Sequence, residues 1–321
     1  MDAFEPLPLL GGSHRQTLAG FVVRRGLRWT APATDVVVDA PDDVRLLVRV
    51  TWQNGARGGH PALVLVHGLE GWDGSSYMVA TAQHALAQGW HVVRMNLRGC
   101  GDSERLCPRL YNAGLTSDLL AVLQWAATSV SRFAVCGFSL GGNLALLTAA
   151  LHRESLPAAL RAIVAVSPPL DLALCAEALE RRSNILYRTY FLRKLESSYA
   201  RRQALLPDLY SPALLRSYRS IREFDDAITA PYGGYRDVAD YYARASAGPR
   251  LRELGRPALI LAAADDPLIP AEAVMRWPTG ASVTRETPRT GGHVGFVGRS
   301  QAPGYFWAAE RAIDFARRET T

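Results

Sequence analysis

Serine, aspartate and histidine occur in this 321-residue chain in an order that suits nucleophilic catalysis. Ser139 stands in Gly137-Phe138-Ser139-Leu140-Gly141, and a serine hydroxyl is a weak nucleophile unless a neighbouring base takes its proton. That base needs an acid to hold it in the right tautomer. Asp265-Asp266 follow Ser139, and His293 follows them in the glycine-flanked stretch Thr290-Gly291-Gly292-His293-Val294-Gly295-Phe296. The other histidines (His14, His60, His67, His84, His91 and His152) all precede the acids, so none completes the order serine, acid, histidine. Backbone amides able to receive a developing oxyanion are expected at Leu140, directly after the serine, and at Leu69, in the turn His67-Gly68-Leu69-Glu70-Gly71. His67 has no second ligand at metal spacing, so it is read as a hydrogen-bonding support of that turn and no metal is expected. Neither GxGxxG nor a Walker lysine follows a strand here, which removes the phosphate-cradling reading of the glycines.

These residues need a scaffold. Short apolar runs at Ala62 to Val66, Trp90 to Met95, Phe133 to Cys136, Ile163 to Val166 and Ala258 to Ala262 suit strands buried on both faces. Helical segments fall between them, at Tyr77 to Ala87, Ser117 to Ala127 and Leu140 to His152. The alternation predicts a mostly parallel central sheet with helices on both faces. A last strand near Ser282 to Glu286 and a helix around Phe306 to Ala316 complete it, and Val36-Val37-Val38 and Leu46 to Val50 read as an antiparallel hairpin at the sheet edge. The first thirty or so residues read as an irregular lead. From about Leu170 to Pro249 charged and aromatic residues dominate and no strand-like run occurs, so that stretch is read as a helical insertion. The expected division is a core of residues 1–169 and 250–321, with residues 1–33 as its lead segment, and a helical cap of residues 170–249.

Ser139 now has its context: a strand runs into it and a helix leaves it. That is the nucleophile elbow, in which a tight strand-to-helix turn lifts the hydroxyl to the carboxyl edge of the sheet. The expected fold class is therefore α/β, specifically the α/β-hydrolase fold. In that fold the acid lies three residues after a small residue and four before a proline, which favours Asp266 and leaves Asp265 as the alternative.

Composition narrows the rest. The net charge of +6 comes from 36 basic residues, all arginine except Lys194, scattered rather than gathered into a stripe with interleaved aromatics, so no nucleic-acid partner is expected. Met1-Asp2-Ala3-Phe4-Glu5-Pro6 lacks the basic start of a secretory signal, and no apolar run has the length of a membrane span. A cytoplasmic protein is expected, with peripheral membrane contact left open. Four cysteines without CxxC spacing read as buried or partly buried thiols.

Taken with His14-Arg15-Gln16-Thr17-Leu18, Asn96-Leu97-Arg98-Gly99-Cys100, Arg109 to Gly114, Glu223-Phe224-Asp225-Asp226 and Asp240-Tyr241-Tyr242, the chain resembles the YheT-like branch of the α/β-hydrolases. This branch is related to plant embryogenesis-associated proteins and mammalian abhydrolase-domain lipases. Asn112 departs from the pattern, a histidine being expected there in many relatives. The resemblance implies a carboxylic-ester hydrolase acting on a small-molecule or lipid ester, with no metal or organic cofactor. A thioesterase, an acyltransferase and a non-catalytic binding scaffold are the alternatives. Tyr187, Tyr190, Phe191 and Tyr199 in the insertion could line an acyl pocket or form the cap's own core.

Overall fold

The computed structural model describes residues 4–55 and 57–321. Among these residues eight strands form one sheet: β1 (Thr34–Ala40), β2 (Val44–Thr51), β3 (Ala62–Val66), β4 (His91–Met95), β5 (Phe133–Phe138), β6 (Leu160–Val166), β7 (Ala258–Leu261) and β8 (Val283–Glu286). Their spatial order is β1-β2-β4-β3-β5-β6-β7-β8. β2 runs antiparallel to both its neighbours, and every other pairing is parallel. Asp42 and Asp43, both at positive φ, close the edge hairpin between β1 and β2.

The continuous apolar runs follow from burial on both faces. In β3, Ala62, Val64 and Val66 belong to one core cluster and Leu63 and Leu65 to the other. The helices are α1 (Ser13–Arg24), α2 (Ser76–Ala87), α3 (Thr116–Ser129), α4 (Leu140–Leu151), α5 (Leu172–Glu180), α6 (Ile185–Leu205), α7 (Ile221–Phe224), α8 (Ala230–Tyr232), α9 (Val238–Ala245), α10 (Ala271–Met275) and α11 (Trp307–Thr320). Met78 and Ala82 of α2 and Ile313 and Ala316 of α11 pack with Leu63 and Leu65, whereas Leu119 and Val122 of α3 and Leu144 of α4 pack with Val64 and Val66.

Between β6 and β7 the described residues form helices α5 to α9, with a π-helical turn at Asp225–Thr229 between α7 and α8. Asn143 of α4 ties their far end to the sheet layer, donating to the Ala245 carbonyl (2.7 Å) and accepting from the Ala247 N–H (2.9 Å). Tyr241 accepts the Ala113 N–H, and the Tyr210 hydroxyl donates to the Pro108 carbonyl.

The lead segment corrects the sequence reading: Ser13–Arg24 is helical, not irregular. Its pattern is inverted. Gln16, Ala19, Gly20 and Arg24 face inward, while Leu18, Phe21 and Val22 face out, so the apolar periodicity that marks a core-facing helix is missing from its buried side.

Candidate active site

Ser139 ends the turn between β5 and α4 with φ +50° and ψ −121°, a conformation that side chains rarely adopt. Its glycines are required by close approach. A Cβ at Gly137 would lie 2.1 Å from the Gly141 carbonyl oxygen, and one at Gly141 would lie 2.4 Å from the carbonyl oxygen of His67. Helix α4 therefore crosses directly over the end of β3. Leu140 is the first residue of α4, where an N–H has no partner within the helix and the helix dipole favours negative charge.

The loop after β3 is held from several sides. The Gly68 N–H donates to the Tyr77 hydroxyl (3.0 Å) and the Glu70 N–H to that of Tyr111 (2.8 Å), while the Tyr111 hydroxyl donates back to Glu70 (2.8 Å). Leu69 lies between these anchors and lines the same cavity as Ser139, Leu140 and His293. His67 is fully buried. Its Nε2 accepts the Leu97 N–H (3.0 Å), so the ring proton sits on Nδ1 and is donated to the Gly68 carbonyl (2.8 Å). Burial pushes its pKa down to about 4, which keeps the ring neutral and stitches the loops after β3 and β4 together. Asn96 supports the same region by accepting the Asp73 N–H, and Arg98 forms a buried pair with Asp118.

His293 reaches Ser139 from the loop after β8. Its Nε2 lies 3.0 Å from Ser139 Oγ and its Nδ1 lies 2.9 Å from Asp266 Oδ2. Asp266 is itself fixed, with Oδ1 accepting the N–H groups of Leu268 (2.9 Å) and Ile269 (3.0 Å). Asp265 points elsewhere: its Oδ1 accepts the Gly292 N–H (2.9 Å), and burial raises its pKa. The structure thus brings Ser139, Asp266 and His293 into one hydrogen-bonded line and gives Asp265 the neighbouring loop.

Sequence reasoning missed what holds that loop. Thr17 of α1 accepts the His293 N–H (2.9 Å). Gln16 is completely buried and grips Val297 at both backbone groups while also donating to the Leu10 carbonyl. Arg24 donates to the carbonyls of Val294 (2.7 Å) and Gly295 (2.8 Å) and lies 4.2 Å over the Phe306 ring. Val294 and Phe296 both have positive φ, so a strained loop is being held. Gln16 and Thr17 stand in His14 to Leu18, which the sequence singled out only as a point of resemblance. Arg24 carried no signal.

The cavity at Ser139 has a volume of about 680 Å³, including space open to solvent, and a mostly apolar wall that includes Leu172, Cys175, Ala176, Leu179, Phe191 and Leu195. Of the four aromatic residues considered for this wall, Phe191 is part of it. Tyr199 is buried beside a second cavity, Tyr187 stacks on His14, and Tyr190 is exposed. All four cysteines are buried and unpaired. Among the described residues no group of three or more histidine, cysteine, aspartate or glutamate side chains has the arrangement to hold a metal ion. No helix there is long and apolar enough to cross a membrane.

A family model described as the alpha/beta hydrolase fold matches residues 61–299. The chain belongs to the α/β-hydrolase family. Within the family it falls in the YheT-like branch: it is 34% identical to YheT of Escherichia coli (strain K12) over 319 residues, covering 97% of this chain and 92% of that protein. It is 30% identical to the embryogenesis-associated protein EMB8 of Picea glauca, over 78% of this α/β-hydrolase and 57% of the relative. Phospholipase ABHD3 of Mus musculus is 31% identical over 74% of the chain and 58% of its own length. The chain therefore spans most of YheT but under two thirds of the latter two. Among solved structures, the Pyrococcus furiosus esterase Pf2001 shares the fold with a TM-score of 0.60 at 18% identity, over 91% of this chain and 97% of that one.

Proposed function

We propose that this chain is a serine hydrolase that cleaves carboxylic esters. The observation that carries the reading is the line from Asp266 through His293 to Ser139, at 2.9 and 3.0 Å, opening into an apolar cavity. With Nδ1–H donated to Asp266, His293 Nε2 carries the lone pair that accepts the Ser139 proton as Oγ attacks the ester carbonyl. The carbonyl oxygen becomes an oxyanion received by the N–H groups of Leu69 and Leu140. The imidazolium, stabilised by Asp266, then protonates the departing alcohol and leaves an acyl group on Ser139. Water, deprotonated by His293, attacks the acyl-enzyme carbonyl; the carboxylic acid leaves as the bond to Oγ breaks, and His293 returns the proton to Ser139 Oγ. Residues 170–249 act as the cap, its apolar side chains receiving the acyl portion.

Relatives named as a phospholipase and, in Saccharomyces cerevisiae, a monoacylglycerol lipase support an ester substrate with an apolar acyl chain. A fluorophosphonate probe should label the protein, and Ser139→Ala should abolish labelling. Hydrolysis of p-nitrophenyl esters of increasing acyl length should then show a preference set by the cavity. A folded wild-type protein that neither labels nor hydrolyses any of these esters would refute the proposal.

A further inference from the structure

The outer surface of α1 is unusual in what it exposes. Leu18, Phe21 and Val22 share one face of the helix, with Phe21 58% and Val22 65% exposed. The first turns of α6 repeat the pattern: Ile185, Leu186 and Tyr190 are exposed, Leu186 by 75%. The two helices meet where His14 stacks on Tyr187, their rings 5.7 Å apart and 11° from parallel, with His14 Nδ1 3.2 Å from the Tyr187 hydroxyl. Single exposed apolar side chains are ordinary, but six large ones on two adjoining helices are not.

The two segments that carry these side chains bear only positive charge. Residues 6–34 contain no aspartate or glutamate and carry Arg15, Arg24, Arg25 and Arg28. Residues 181–195 likewise contain no acid and carry Arg181, Arg182, Arg188, Arg193 and Lys194. Arg24 turns inward and Arg188 pairs with Glu180, while Arg15, Arg25, Arg28, Arg181, Arg182, Arg193 and Lys194 remain exposed. Apolar side chains rimmed by cations suit a surface with an apolar interior and anionic headgroups.

The face also adjoins the reactive centre. Thr17, on α1 between His14 and Leu18, holds the His293 N–H, and Phe191, one turn beyond Tyr187 on α6, lines the cavity that contains Ser139. We propose that α1 and the first half of α6 form a docking face for an anionic lipid bilayer, which places the mouth of the Ser139 cavity at the membrane surface where acyl esters reside. Delivery of substrate rests on the ester-hydrolase reading, whereas binding to the bilayer does not.

The test uses the full chain and co-sedimentation with vesicles of phosphatidylglycerol mixed with phosphatidylcholine, against phosphatidylcholine alone. Wild type should bind the anionic vesicles at least about tenfold more tightly, and added salt should weaken that binding. A variant combining Arg15→Gln, Arg25→Gln and Arg182→Gln should lose about a hundredfold in affinity, each cation contributing about fivefold near an anionic surface. Phe21→Ser with Leu186→Ser should lose about tenfold or more. Both variants should unfold at the wild-type temperature and hydrolyse the soluble ester p-nitrophenyl acetate at the wild-type rate. Ser139→Ala should bind vesicles like wild type while failing to label with fluorophosphonate, which separates failure of the docking proposal from failure of the catalytic one. Absence of vesicle binding, equal binding to both compositions, or variants that bind like wild type would each overturn the proposal. So would a dimer in solution that Phe21→Ser dissolves, since the face would then belong to a second copy of the chain.

Discussion

Two adjacent aspartates precede the histidine, and exchanging each in turn for asparagine should separate their roles by orders of magnitude. Asp266 accepts three hydrogen bonds: from Leu268 and Ile269 through Oδ1, and from His293 through Oδ2. In Asp266→Asn the amide oxygen keeps the two backbone donors, which turns the NH2 toward His293 Nδ1. The ring must then accept at Nδ1 and carry its proton on Nε2, facing Ser139 with a donor where a base is required. The wrong tautomer together with loss of the carboxylate should lower kcat by about 10⁴-fold. Stability should change little, by about 1 kcal/mol, because one hydrogen bond of three is replaced rather than removed. Asp265→Asn leaves an acceptor for the Gly292 N–H, and it removes the charge of a partly buried carboxylate. Its kcat should stay within about tenfold of wild type and its folding stability should hold or rise slightly. The assay is steady-state hydrolysis of a p-nitrophenyl ester, with urea unfolding of each variant alongside. If Asp265→Asn falls as far as Asp266→Asn at unchanged stability, or if Asp266→Asn retains most of the rate, the assigned geometry is wrong.

Further tests address the supports of the site. Gln16→Leu leaves the Val297 N–H and carbonyl and the Leu10 carbonyl without their buried partner, so urea unfolding should show a loss of about 3 kcal/mol. Thr17→Val keeps the shape of the side chain but drops the hydrogen bond to the His293 amide; kcat for ester hydrolysis should fall about tenfold with KM little changed, as expected of a group that acts through histidine position. Gly141→Ala forces a Cβ against the backbone oxygens of Val66 and His67, and thermal unfolding should report a destabilisation of about 3 kcal/mol or more. Two buried groups should oppose one another in the dependence of stability on pH. Asp225, pushed up to about 6 by burial, binds more protons folded than unfolded between pH 4 and 6, so its contribution falls by about 3 kcal/mol as pH rises through that window. His67, pushed down to about 4, binds more protons unfolded than folded between pH 4 and 6.5, so its contribution rises by a similar amount. In wild type these two contributions oppose one another; Asp225→Asn removes the falling one, so urea unfolding across this range should show stability changing more positively with pH in the variant than in wild type.

Much of the fold was legible because continuous apolar runs have few physical solutions. Ala62 to Val66 is a strand over those same residues, and Leu140 starts a helix because the glycines on either side of Ser139 permit the crossing. The hairpin between β1 and β2 closes at Asp42 and Asp43, a residue type that tolerates positive φ. Ser139, His293 and the pair Asp265-Asp266 could be singled out because the order of chemistry along the chain is itself a constraint, and the spacing to Pro270 favoured Asp266 within the pair. What could not be read were contacts made by polar groups across long stretches of sequence. Gln16 and Arg24 are buried with their side-chain ends bonded to loop carbonyls and amides, and nothing in their own neighbourhood announces those partners. The same inversion hid α1, whose apolar side chains face away from the core. Placing the aromatic residues between β6 and β7 also needed three dimensions: one turn of α6 separates Tyr187, against His14, from Phe191, which lines the cavity.

The clasp of α1 on the histidine loop has a consequence for biosynthesis. Thr17 and His293 are separated by 276 positions, and Gln16 and Val297 by 281. Helix α1 is synthesised well before the loop after β8, so Thr17 and Arg24 meet their partners there only once the strands and helices between them have been made. In the proposed mechanism Ser139 gains its general base only with that loop, so a copy synthesised no further than β7 would carry the nucleophile as an inert hydroxyl.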